Sequence, residues 1–129
     1  MQYIYCFANA SLVLRLMTYL SKQVPAELAS VTVIYLVDRW VVRIKLRSQL
    51  PTYIAKNFES FLNENAYPFN LSVKDSNALI ALDGGASIEA VTASYQMVIV
   101  SHGSLRPEDI EAFRATFTSR LGYCPPSLV

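Results

Sequence analysis

From Ser30 to Arg47, apolar residues fall on every second position of two short runs, SVTVIYLV and WVVRIKLR, separated by Asp38-Arg39. Alternation with period two marks a strand with one buried face, so the stretch predicts a β-hairpin. A turn at Asp38-Arg39 sets Val37 opposite Trp40, Tyr35 opposite Val42, Val33 opposite Ile44 and Val31 opposite Leu46. All four pairs are apolar, which makes that face a core surface. The other face pairs Leu36 with Val41, Ile34 with Arg43, Thr32 with Lys45 and Ser30 with Arg47. Asp-Arg lacks the glycine that tight hairpin turns favour, so the turn is the least specified part of the hairpin.

The remaining pattern is read outward from this hairpin. Gln2 to Phe7 is apolar but too short to separate a strand from a helical lead-in. Asn9 or Ser11 can cap a helix running to about Lys22, with a stripe of Leu12, Leu16, Tyr19 and Leu20. Val13, Leu14 and Met17 spread apolar character around the rest of that helix, which calls for a sandwiched or interfacial position. Pro51 opens a second helix ending near Asn65, with Leu50, Ile54, Phe58, Phe61 and Leu62 as its core stripe.

Further on, residues 69–74 and 78–83 read as a second hairpin turning at Ser76-Asn77, which pairs Val73 with Ile80 and Leu71 with Leu82. Gly84-Gly85 breaks it. Residues 84–92 stay open between a helical turn and extended chain. Residues 93–101, ASYQMVIVS, predict a strand with Tyr95, Met97 and Ile99 on one side. A last helix follows, with Ser104 as cap, Pro107 in its first turn, Ile110, Phe113, Phe117 and Leu121 as its stripe, and Gly122 as its stop. The Pro-containing tail at 123–129 is irregular. The expected order is α-ββ-α-βββ-α over a single domain, residues 1–129: an α+β fold with a mainly antiparallel sheet of about five strands and three helices.

Composition changes this picture in one respect. Of the 129 residues, 53% are hydrophobic and only 16% charged. An average globular chain is about 25% charged. With a mean hydropathy of +0.29, the chain has more apolar surface than a small monomer hides comfortably, which favours a homodimer or an obligate partner. Net charge of +1 supplies no whole-molecule field for nucleic acid or anionic lipid. Arg15 and Asn9 interrupt the apolar N-terminal stretch, and no positive charge precedes its apolar run, so neither a membrane span nor a signal peptide is expected. Cys6 and Cys124 lack metal-ligand spacing and read as reduced thiols of a cytoplasmic protein.

Candidate chemistry is sparse. His102, the only histidine, stands in Ser101-His-Gly-Ser104 without a nucleophile elbow or a cysteine signature, and reads as a polar loop residue. Asp83-Gly-Gly-Ala-Ser87 lacks the Lys-Ser/Thr of a phosphate loop and reads as a turn. No metal, cofactor or catalytic group is expected. Arg43, Lys45 and Arg47 share one side of the hairpin with Ile34, Leu36 and Val41. A face mixing cations with aliphatics suits covering by the first helix or by another chain. These six residues are therefore the expected partner-binding surface of a non-enzymatic adaptor or assembly chaperone, homodimeric and holding a segment of a client protein. The alternative is a nucleic-acid-binding module using the basic face, although no aromatics interleave its charges.

Overall fold

A computed structural model describes residues 2–36, 39–95 and 98–102, together with the helical positions Glu108 and Ala115. The chain is α+β. Its elements are β1 (Gln2–Phe7), α1 (Ala10–Gln23), β2 (Leu28–Tyr35), β3 (Trp40–Leu46), α2 (Thr52–Asn65), β4 (Tyr67–Pro68), α3 (Val73–Asp83), α4 (Ile88–Tyr95) and β5 (Val98–His102). The strands form one antiparallel sheet in the order β4-β1-β3-β2-β5. Its first six elements are a β-α-β-β-α-β unit with strand order 4-1-3-2, the split β-α-β arrangement. The α3-α4-β5 segment then adds a strand beside β2.

Gln2–Phe7 resolves as a strand because β3 offers it a complete antiparallel ladder, from Gln2 opposite Lys45 to Phe7 opposite Trp40. The Asn9 side chain ends that strand's influence and starts α1: its Oδ1 accepts from the Leu12 N–H at 3.0 Å. Buried Val13, Leu16, Met17 and Leu20 point from α1 to the sheet. The apolar residues that spread beyond this stripe meet α2, where Tyr19 stacks on Phe61 with ring centroids 4.3 Å apart. Pro51 precedes the first turn of α2, and Phe58 and Leu62 are its fully buried contributions.

The β2–β3 hairpin forms with the expected faces but in a different register. Tyr35 lies opposite Trp40, Val33 opposite Val42, Val31 opposite Ile44 and Ile34 opposite Val41. This is a slip of two residues from the expected pairing, and an even slip leaves every side chain on its own face. The observed register sets like against like: Tyr35 packs on the Trp40 ring at 4.7 Å, Ile34 meets Val41, and Thr32 meets Arg43. The Leu36 N–H donates to the Arg39 carbonyl at 3.0 Å and closes the hairpin end. At the other end the register shifts by one residue between Leu28 and Ser30.

The second hairpin does not exist. Residues 73–83 form α3, so the expected order of elements is corrected at this point. Ser72 caps the helix, its Oγ accepting from the Asp75 N–H at 3.1 Å, and Asp75 lies favourably in the first turn. Asp75, Ala78, Leu79 and Leu82 hold i, i+3, i+4, i+7 spacing and face inward. Val73 and Ile80, the expected cross-strand pair, are instead 79% and 66% exposed on the outer side. Gly84 ends α3, and Gly85 adopts φ 103°, a conformation that a side chain would strain. The open stretch after it becomes α4, started by Ser87 Oγ accepting from the Ala90 N–H at 3.1 Å. Helix α4 runs through Tyr95, so the expected strand at 93–101 shortens to β5. The expected stripe of the last helix and the tail at 123–129 lie outside the described residues, Glu108 and Ala115 apart.

Among the described residues two cores result, one on each face of the sheet. Under α1 and α2, eighteen of these residues are buried and pack together, including Phe7, Trp40, Phe58 and Leu62. Under α3 and α4 the buried cluster is Ile34, Val41, Ala78, Leu79 and Val91, with Ile4, Leu36 and Leu82 partly buried against it.

Candidate functional site

The hydrogen-bonding chemistry of the α3-side face centres on Arg43. Position 43 points to that face because β3 alternates, and Trp40, Val42 and Ile44 take the other. Arg43 is only 4% exposed, and a buried guanidinium needs a partner. Asp83 supplies it from the C-terminal end of α3: Nη1 donates to Oδ2 at 2.9 Å and Nη2 to Oδ1 at 2.8 Å. Lys45, two residues along the same strand face, brings its Nζ within 3.0 Å of Asp83 Oδ2. Hydrogen bonding from Arg43 is the main cause that holds the Asp83 carboxyl below the usual carboxylate range, working against its partial desolvation. Both cations also lie near the negative end of the α3 dipole. The Arg43 Nε is buried and finds no hydrogen-bond partner among the described residues.

This cluster lines a surface groove of about 190 Å³ that runs between β1 and α3, with Ile4, Arg43, Leu79, Ile80 and Asp83 in its walls. A neighbouring hollow of about 320 Å³ lies over Ala29, Lys45 and Leu46 at the sheet's end. Gln2 lines both, and Gln2 is the β1 residue directly opposite Lys45. Exposed Ile80 stands on the rim, with exposed Val73 two turns earlier on the same helix. Tyr67, also exposed, carries the outer edge of the sheet at β4 and meets Cys6 Sγ through its hydroxyl at 3.5 Å.

The six expected partner-binding residues are distributed unevenly. Ile34 and Val41 are buried under this chain's own α3 and α4, and Leu36 is partly buried against the same cluster. Arg43 is buried and held by Asp83, Lys45 borders the groove half-buried, and Arg47 is exposed. Thus the face that called for a cover receives it from within. Gln2 and Ile80 carried no signal as site residues in the sequence, and Asp83 entered only as the first residue of the turn weighed against a phosphate loop. Asp83 becomes a partner of Arg43 only once residues 73–83 are helical, and the hairpin reading hid that.

His102, expected in a loop, instead ends β5 opposite Val31, because the strand ladder with β2 extends through it. Among the described residues, no three His, Cys, Asp or Glu side chains gather where they could hold a metal ion. No helix among them is long and apolar enough to cross a membrane. Cys6 is buried and free, while Cys124 lies outside the described residues. No protein-family model, curated protein or solved structure matches this chain.

Proposed function

We propose that this chain is a non-enzymatic protein-binding domain, an adaptor or assembly chaperone that works as a cytoplasmic homodimer and holds a segment of a client protein. The observation that carries this reading is the outer side of α3, where Val73 and Ile80 are exposed beside a groove walled by Ile4 and Leu79. Large aliphatics on a surface helix next to an apolar groove suit an apolar segment of another chain. The composition, 53% hydrophobic against 16% charged, favours association in the same direction. Burial of Arg43 against Asp83 argues against the nucleic-acid alternative, because the central cation of the basic face is already neutralised. Arg43 and Lys45 act as positioning residues that fasten the end of α3 to the sheet.

The test has two parts. Light scattering coupled to size exclusion should give twice the 14.4 kDa chain mass at micromolar concentration. An array of dodecapeptides tiled from unrelated proteins, probed with labelled protein, should retain it on a subset rich in aliphatics. Ile80→Asp should abolish that retention while leaving the circular dichroism unchanged, since the position is two-thirds exposed. A monomer that ignores every peptide would overturn the reading.

A further inference from the structure

The groove has a charge imbalance as well as apolar walls. Among the described residues, two cations, Arg43 and Lys45, share the single carboxylate of Asp83, which leaves one positive charge in excess beside the groove. No other acidic residue among them lines the groove or the neighbouring hollow. Arg43 Nε remains a buried donor without an acceptor among the described residues. Lys45 is about one-third exposed at its side chain, so its ammonium, which has three donors, is open to a ligand as well as to Asp83. Gln2 stands opposite Lys45, is exposed, and lines both the groove and the neighbouring hollow.

From this arrangement we infer that the groove selects a client segment carrying an acidic side chain, Asp or Glu, between aliphatic residues. The carboxylate sits on the Lys45 ammonium beside Gln2, and the flanking aliphatics lie against Ile4, Leu79 and Ile80. The bound carboxylate makes the floor neutral: two cations then face two anions. An aliphatic segment with lysine at the same place would bring a third cation to the floor and is rejected. This inference rests on the protein-binding reading and adds the chemistry of the segment.

Three labelled, capped peptides of seven residues test it, with Val-Leu-Val on each side of a central Glu, Gln or Lys. Fluorescence anisotropy at low and physiological salt gives their affinities for the intact chain. The Glu peptide should bind at least about tenfold more tightly than the Gln peptide, as a charge-assisted contact implies, and the Lys peptide should be weakest. Lys45→Met keeps the apolar stem and leaves the Arg43–Asp83 pair in place. In that variant the Glu and Gln peptides should bind alike, and a preference for Glu that persists would overturn the role of Lys45. Equal binding of all three peptides to the wild type would overturn the acidic selection and leave the protein-binding reading standing. Binding of none, with no peptide retained on the array, would overturn both.

Discussion

On the face under α1 and α2, the inward positions of the β2–β3 hairpin are all apolar, from Val31 and Val33 to Trp40, Val42 and Ile44. On the face under α3 and α4, the same strands present Ile34 and Val41 beside Thr32, Arg43 and Lys45. The first face needs only apolar cover and receives two long amphipathic helices. The second needs a cover that is apolar in one place and acidic in another. Helix α3 meets both demands by placing Ala78 and Leu79 over the aliphatics and Asp83 over the cations. The difference teaches that a mixed face can be an intramolecular surface whose complement lies far along the chain, here forty residues from Arg43 to Asp83.

The largest expected contrast is between truncations on the two faces. Phe58 is fully buried and holds an edge-on Tyr3 ring at 5.1 Å and a stacked Tyr19 ring at 5.9 Å. Phe58→Ala should cost about 3–5 kcal/mol in chemical denaturation. Leu79→Ala, in the smaller cluster, should cost about 2–3 kcal/mol. Equal losses would mean that the α3 side is as tightly packed as the main core.

Next in size is the ion pair that fastens the second face. Asp83→Asn leaves Arg43 buried without its counter-charge, which should cost about 1–2 kcal/mol, because Asp83 itself is well exposed to solvent. The pH dependence sharpens this. A carboxyl group held low in the folded state adds stability above its unfolded pKa of about 4, and that contribution is lost as the pH falls through the folded value. The gap between wild type and Asp83→Asn should therefore be full near neutrality and close on acidification below about pH 4. A gap that is constant with pH would show that the aspartate acts through packing instead of charge.

The same contrast explains what could be read from the chain. The first face was legible because its signals are local: period-two alternation in the hairpin, Asn9 before one helix, Pro51 before the other. Its register was not legible, since a slip of two residues changes no face and the hydrophobic pattern is blind to it. The second face was misread where Leu71, Val73, Ile80 and Leu82 mimic two apolar strand pairs. The helical signal, Ser72 followed by Asp75 and the inward set of Ala78, Leu79 and Leu82, was present in the same residues. Two periodicities competed in one short window, and tertiary contact with Ile34 and Val41 decided between them. The groove depends on that outcome, so it could not be anticipated while residues 73–83 were read as strands.

The smallest expected effects come from the two helix caps, and they probe whether the faces open separately. Asn9 Oδ1 holds the Leu12 N–H at the start of α1, and Ser72 Oγ holds the Asp75 N–H at the start of α3, at 3.0 and 3.1 Å. Asn9→Ala and Ser72→Ala remove similar bonds and should each weaken their helix by about 1 kcal/mol. Their consequences should differ. Helix α1 belongs to the eighteen-residue core, so the loss of its cap should appear in global unfolding. Among the described residues, helix α3 is held by a cluster of five buried residues, the partly buried side chains around it and the Asp83 contacts, so it should open while the main core stays closed. Native-state hydrogen exchange should then show faster exchange of the α3 amides in Ser72→Ala, with those of β3 and α1 unchanged. Parallel acceleration of all three elements would show that the two faces unfold as one unit, and the division drawn between them would fail.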